Sequence, residues 1–276
     1  MKIALCCIGR LENRYAVEFV EHYKRLGVDK IFIGDNNRKD EEHFEDVLKS
    51  YIDENFVNII DVRNKPAYQS LFYMKCYQKY HNDFDYMMFF DFDEFLILNK
   101  DNNIKDYLTR NICNYDVILV HWVIFTDNDL VYDDGRGCLE RFTVPSFSNC
   151  ITVKSIIKCK SDIITFGKFS HAPIDKQLKF CDNNFKELYQ NDDYNFIWNG
   201  PSDLTYESII NDRLAYIKHF QDKTIEEYVK YKLKRGVGDR TYDAFKSTYN
   251  VDQFFIVNKK TPEKLKYLEE HNIKLR

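Results

Sequence analysis

Apolar runs and helically spaced apolar positions alternate along the first 95 residues. Ile3 to Ile8 is a short apolar run closing on Gly9, the pattern of a buried strand. From Leu11 to Leu26, apolar side chains recur at Leu11, Tyr15, Phe19 and Leu26, with Ala16 and Val20 beside them. That spacing predicts a helix, and Gly27 stands just past its end, where helices favour glycine. Lys30 to Gly34 predicts a second strand and Asp40 to Tyr51 a second helix. Phe56 to Val62 predicts a third strand, and Pro66 to Tyr80 a third helix with proline at a tolerated early position. Tyr86 to Phe90 is a fourth apolar run. The order β-α-β-α-β-α-β predicts an α/β fold with a parallel sheet covered by helices.

The periodicity is less regular beyond residue 96. Asp116 to Phe125 predicts a strong strand, followed by an acidic loop from Thr126 to Gly137. Ile151 to Lys158, Thr165 to His171 and Leu214 to Phe220 predict further strands. Asp182 to Pro201, rich in Asn and Asp, predicts a loop. Thr224 and Glu227 have the spacing of a capping box, opening a helix to about Arg235. Glu263 to His271 predicts a last helix. No internal repeat or low-complexity tract interrupts the chain.

Three acids, Asp91, Asp93 and Glu94, follow the fourth apolar run at once. Ligands of open α/β sheets bind at the carboxyl ends of strands. Strand alternation would point Asp91 and Asp93 the same way, with Phe92 turned from them. Two carboxylates held that close repel unless a proton or cation lies between them, and hard oxygen ligands suit Mg or Mn. The Asp-x-Asp pattern occurs three times, at Asp83/Asp85, Asp91/Asp93 and Asp127/Asp129, and only the middle one ends an apolar run. The plain alternative is a charged turn after a core strand. Gly9-Arg10 and Asp35-Asn36 end two other strands, so three strand tops would open toward one crevice, a nucleotide-site layout. The glycine-rich dinucleotide fingerprint and the P-loop are both missing. Any phosphates are then left to a metal and to basic side chains.

Composition narrows the class. With 22 Phe and 20 Tyr against 9 Gly and 5 Pro in 276 residues, the chain has the makings of a core rather than of a linker. A net charge of −4 gives no nucleic-acid signature. Eight cysteines without a Cys-x-x-Cys spacing argue against a zinc site and fit a reduced cytosol. Met1-Lys2 leads into only six apolar residues, so no signal peptide is expected, and no run approaches a membrane span.

Several stretches together resemble a family. They are Arg10-x-Glu12-x-x-Tyr15-x-x-Glu18-Phe19, Leu26-Gly27-Val28-Asp29, and Gly34-Asp35-Asn36-Asn37-x-x-Asp40. Gln69 and Cys76 before Phe90-Asp-Phe-Asp-Glu-Phe95 continue the pattern, as do Trp122-x-x-Phe125 and His219-Phe220-x-x-Lys223-x-x-Glu226-Glu227. Over residues 3 to 240 the chain resembles glycosyltransferase family 92 and its bacterial family 2-like relatives. It departs from their pattern at Leu11, at Arg38 and at Thr126-Asp127-Asn128-Asp129, where the family has a small, glycine-bearing stretch.

The resemblance implies a GT-A (Rossmann-like) fold with a mostly parallel central sheet. It implies one catalytic domain over 1–276: a nucleotide-binding half (1–96), an acceptor-binding half (97–240) and a C-terminal helical extension (241–276). The implied reaction is inverting transfer of a sugar, usually from a UDP-sugar, with Mn2+ or Mg2+ bound by Asp91 and Asp93. Arg10, Glu12, Asp35 and Asn36 would line the nucleoside pocket, with Gln69 and Asp91 beside the donor and Lys65 or Lys223 near its diphosphate. His219 is expected as a third metal ligand, with His171 its rival. An inverting transfer needs a base, for which Asp127 is the first candidate and Asp129, Glu140 and Asp182 remain open. Trp122 suits core packing or sugar stacking equally. The acceptor would be a glycan or a lipid-linked sugar in surface polysaccharide synthesis. The lysines from Lys230 to Arg235 and Lys259 to Lys274 read as solvated helix faces, or as a basic edge resting on anionic lipid at the cytoplasmic face. Two other classes stay in view: a haloacid dehalogenase-type phosphohydrolase, and a non-catalytic sugar- or nucleotide-binding protein.

Overall fold

In the computed structural model, residues 1–146, 152–160, 164–166, 171–175, 177–190, 196–197, 205–236 and 250–275 are described. The expected β-α order of the amino-terminal part is observed: β1 (Ile3–Gly9), α1 (Asn13–Arg25), β2 (Lys30–Asp35), α2 (Glu45–Asp53), β3 (Val57–Asp61), α3 (Gln69–Tyr80) and β4 (Tyr86–Phe89). These four strands are parallel, in the order β3-β2-β1-β4. Along β1 the side chains alternate between two cores. Ile3, Leu5 and Cys7 pack with Tyr15, Phe19 and Tyr23 of α1. Ala4, Cys6 and Ile8 pack with Phe72, Tyr73, Cys76 and Tyr77 of α3. A strand covered on both faces reads as a continuous apolar run for this reason.

The expectation of a mostly parallel sheet holds only for this half. β7 (Val153–Lys158) runs antiparallel between β4 and β6 (Val117–Ile124). Beyond β6 lie β8 (Phe180–Asp182) and, within the stretch whose composition predicts a loop, β9 (Glu187–Gln190) and β10 (Phe196–Ile197). Strands of two to four residues are too short to show a period. β5 (Glu94–Leu98) and α4 (Ile104–Thr109) follow the acids directly. β5 pairs antiparallel with β11 (Ala215–His219), which in turn pairs parallel with β6. The strand expected over Thr165 to His171 lies partly outside the described residues. The antiparallel sense of β7 matters, because it brings that strand's beginning to the edge where β4 ends. The register Phe89 to Ser155 sets Lys154 level with Phe90.

The Thr224–Glu227 capping box is present and opens α7 (Ile225–Glu227). A π-helical stretch, Tyr228–Lys232, carries it into α8 (Leu233–Arg235). Helices Val251–Val257 and Pro262–Glu270 pack their own apolar cluster with Ile225 and Tyr228.

Burial of His121 on β6 has a measurable consequence. The ring is fully buried, with Nδ1 3.3 Å from the Asn183 side-chain oxygen. Burial, helped by nearby Arg213, pushes its pKa down to about 3. Below the unfolded value near 6.5, the unfolded chain takes up a proton that the native ring refuses. Stability from this group is complete above pH ~6.5 and falls by about 1.4 kcal/mol per pH unit toward the folded pKa. Urea unfolding at pH 7 and pH 5 should show that slope, and His121→Gln should reduce it by about one proton. An unchanged slope would mean the ring is not the source.

Candidate active site

The carboxyl edge of the parallel strands opens on a cavity of about 570 Å³. Gly9 and Arg10 at the end of β1, Asn36 after β2, and Asp91 and Asp93 after β4 line one side. Trp122 of β6, Lys154 of β7 and His219 of β11 line the other, and Lys232 and Arg235 of the π-α segment face them. Gly9 is required here: a Cβ at that position would lie 2.6 Å from the Phe92 ring. Phe92 stacks on Phe44 at 5.0 Å and packs against Phe19, so it is turned into the core as expected and pins the acidic turn.

That turn is not a strand. β4 stops at Phe89, and Asp91–Asp93 form the bend into β5, with the Glu94 N–H donating to the Asp91 carbonyl at 3.0 Å. The two aspartates therefore diverge, contrary to simple strand alternation. Asp91 Oδ1 accepts from Gln69 at 2.5 Å and Tyr73 at 2.8 Å, and its Oδ2 accepts from Lys154 at 2.7 Å. Asp93 instead faces His219 Nε2 and Arg235, each at 3.6 Å. Arg235 also pairs with Glu12.

The charges are unevenly met. Burial pushes the Asp93 carboxyl up, but His219, Lys223 and Lys232 outweigh it and hold the group well below the usual carboxylate range. Glu94 is fully buried, and burial, with Asp91 and Asp93 nearby, raises its carboxyl well above that range despite Lys154. Lys154 is 1% exposed, yet the acids around it keep it charged: their attraction exceeds the cost of burial. Ligand atoms of Asp93, Glu94 and His219 lie within 4.8 Å of one another. Glu94 Oε1 and His219 Nδ1 are buried without a hydrogen-bond partner. Two carboxyl groups and an imidazole, with two buried polar atoms lacking partners, fit a divalent cation.

The sequence matches the model of glycosyltransferase family 92 over residues 5–224. The chain belongs to glycosyltransferase family 92. This bears out the family resemblance read from the sequence. No curated protein sequence matches the chain. Among solved structures, Staphylococcus aureus TarS 1–349 with UDP-GlcNAc aligns at 10% identity and a TM-score of 0.36, over 50% of this chain and 36% of that one. TarS 1–349 alone gives 9% and 0.39, over 58% and 47%. A CMP:2-keto-3-deoxy-manno-octonic acid synthetase complexed with CTP gives 12% and 0.32, over 57% and 74%. The chain thus spans less than half the length of the TarS fragment. No helix among the described residues is long and apolar enough to cross a membrane.

Within this family 92 site, the expected residues divide. Arg10, Glu12, Asn36, Lys65, Gln69, Asp91, Asp93 and His219 all line the cavity, as does His171, whose ring meets Trp122 edge-on at 5.1 Å. Arg10 is held by Glu41 at 2.5 and 2.8 Å and reaches the Arg235 carbonyl, so it braces the π-α segment. Asp35 is fully buried and engaged by Arg63 at 2.6 Å, behind the cavity wall. Lys223 is buried too, its ammonium 4.3 Å from the Tyr15 ring centroid. Asp127 does not reach the cavity: it is 1% exposed and paired with Lys264 at 2.5 Å, so it anchors the last helix. Its rivals are also elsewhere. Asp129 faces Lys259 and Lys264, Glu140 pairs with Arg136, and Asp182 pairs with Arg213. Among the described residues, the carboxylates lining the cavity are Glu12, Asp91 and Asp93.

Sequence reasoning passed over Lys154, Lys232 and Arg235. Lys154 did carry a signal, as a single charge inside the apolar run Val153–Ile157, since a lysine is seldom buried without a partner. Lys232 and Arg235 lie in the Lys230 to Arg235 run, which reads as a solvated or lipid-facing edge because a basic helix face in solvent has the same spelling.

Proposed function

We propose that this family 92 chain transfers a sugar from a nucleotide diphospho-sugar, with UDP as the nucleotide, to a glycan or lipid-linked acceptor. The supporting observation is the cavity at the β1/β2/β4 edge, with a buried acid-imidazole group on its floor and cations around it. Sheet order gives the cavity a direction. β3, β2 and β1 lie on one side of β4 and β7, β6 on the other. The nucleoside would sit with Arg10, Asn36 and Lys65, the diphosphate over the acids, and the sugar toward Trp122 and His171. A divalent ion, Mn2+ or Mg2+, would supply positive charge to the leaving diphosphate. Lys232 and Arg235 face the same space and would hold the phosphates by charge-assisted hydrogen bonds. Transfer breaks the bond from the anomeric carbon to the diphosphate, which leaves with the bonding electrons, and forms one to the acceptor oxygen, whose proton passes to solvent. With inversion the two oxygens lie on opposite faces of the sugar, so the acceptor would enter from the Trp122 side. With a glycan or lipid-linked acceptor, the reaction would belong to surface polysaccharide synthesis at the cytoplasmic face of the membrane.

Thermal melting with UDP, GDP, CDP and ADP, each with and without Mn2+, tests this reading. A ligand at about a hundred times its dissociation constant adds roughly 2.7 kcal/mol, a shift of several degrees for a chain this long. The expected result is a shift with UDP that needs Mn2+. A shift with GDP but not UDP would overturn the donor, and a UDP shift indifferent to Mn2+ would overturn the metal.

A further inference from the structure

We propose that Arg235 is the resident counter-cation of the empty site, and that metal and nucleotide diphosphate must displace it together, so that each strengthens the binding of the other through this one side chain. This rests on the reading of the cavity as a metal-dependent nucleotide-sugar site, and goes beyond it by assigning how the two ligands are coupled.

Arg235 lies between two carboxylates that the ligands themselves need. Its Nη1 pairs with Glu12 Oε1, and its Nη2 faces Asp93 Oδ2 at 3.6 Å. All three side chains line the cavity. Glu12 is 5% exposed, and its other oxygen is buried without a hydrogen-bond partner. A carboxylate this buried needs an opposite charge, and Arg235 supplies it. Asp93 has His219 beside its other oxygen, Oδ1, at 3.6 Å.

The backbone that carries Arg235 is tied down. Arg10 donates to the Arg235 carbonyl at 3.3 Å, and the Gly236 N–H donates to the Lys232 carbonyl at 3.1 Å. Lys232 in turn donates to the Gln221 carbonyl at 2.5 Å and meets Asp222 at 3.3 Å. The long side chain can therefore swing while its Cα stays in place.

The chemistry of the parts defines the exchange. A divalent ion at Asp93 repels a guanidinium beside it. A diphosphate offers that guanidinium oxygens in the geometry its fork prefers. The ribose hydroxyls are donors, and Glu12 has an oxygen without a partner to receive one. With both ligands bound, every group regains a partner. The ion alone leaves a cation against a cation. UDP alone draws Arg235 away and leaves Asp93 short of positive charge. Each ligand thus prepares the site for the other, and linkage makes the effect equal in both directions.

The test compares the full chain as wild type, Arg235→Gln and Arg235→Lys. Mn2+ titration without nucleotide is followed by the electron paramagnetic resonance signal of free Mn2+, and UDP titration at saturating Mn2+ by calorimetry. Glutamine can still donate to Glu12 but carries no charge. Arg235→Gln should bind Mn2+ alone at least ~10-fold more tightly than the wild type, and UDP with Mn2+ at least ~10-fold more weakly. Arg235→Lys keeps the charge, so its affinity for Mn2+ alone should stay within ~3-fold of the wild type. If Arg235→Gln does not fold, the double variant Glu12→Gln, Arg235→Gln removes the stranded acid as well and should show the same gain for Mn2+. No gain in the uncharged variants, or an equal gain in Arg235→Lys, overturns the proposal and leaves the metal-dependent reading intact. Wild-type protein that binds neither Mn2+ nor UDP overturns both.

Discussion

Asp93→Asn should lower sugar transfer by roughly 10²-fold or more while the protein stays folded. The amide has the shape of the carboxylate, so the turn pinned by Phe92 is kept. What is lost is one negative charge facing His219 and Arg235 at 3.6 Å. His219, Lys223 and Lys232 hold Asp93 ionised against burial, so the substitution also removes a favourable interaction. Melting should fall somewhat, and turnover must be compared well below the transition. The metal-dependent part of the UDP shift should vanish with the activity. Near-normal turnover in this variant with the metal chelated would sink the assignment of Asp93 to the metal.

The amino-terminal part of the fold was legible because its strands are buried on both faces and its helices on one. Continuous apolar runs and 3.6-residue spacing then become hard to confuse. The carboxyl-edge rule converted that order into a site, and Arg10, Glu12, Asn36, Asp91 and Asp93 do meet in one cavity. The sequence failed where contacts are long-range. Asp35 follows its strand just as Asn36 does, but strand geometry does not reveal that Arg63, 28 residues on, draws its carboxylate inward. Asp127 ends a strong strand and looked free to act, yet Lys264 claims it across 137 residues. Lys154 reaches the site because β7 runs antiparallel, a fact of topology that local patterning does not encode.

Arg141→Met should be the most destabilising single change outside the cavity. Arg141 is 2% exposed and grips both oxygens of Glu227 at 2.8 Å. Tyr15 of α1 donates to the same carboxylate at 2.7 Å, and Glu227 closes the capping box with Thr224. The cluster thus ties α1 and α5 (Cys138–Arg141) to the helix that carries Lys232 and Arg235 into the cavity. Removing the cation leaves a carboxylate buried without its partner, which costs about 3–5 kcal/mol, or on the order of 10 °C in melting temperature. Burial alone would raise the Glu227 carboxyl, and Arg141, helped by Tyr15 and Thr224, more than offsets it, so the native group titrates below its ordinary value. Without Arg141 its pKa should instead rise, and the carboxyl can escape the penalty by taking a proton. The deficit should therefore be large at pH 8 and shrink toward pH 5. Adding Glu227→Gln should recover part of it at pH 8 and little at pH 5. If the deficit is the same at both pH values, the loss comes from Arg141's packing over Phe142, at 4.6 Å from the ring centroid, and not from the stranded charge.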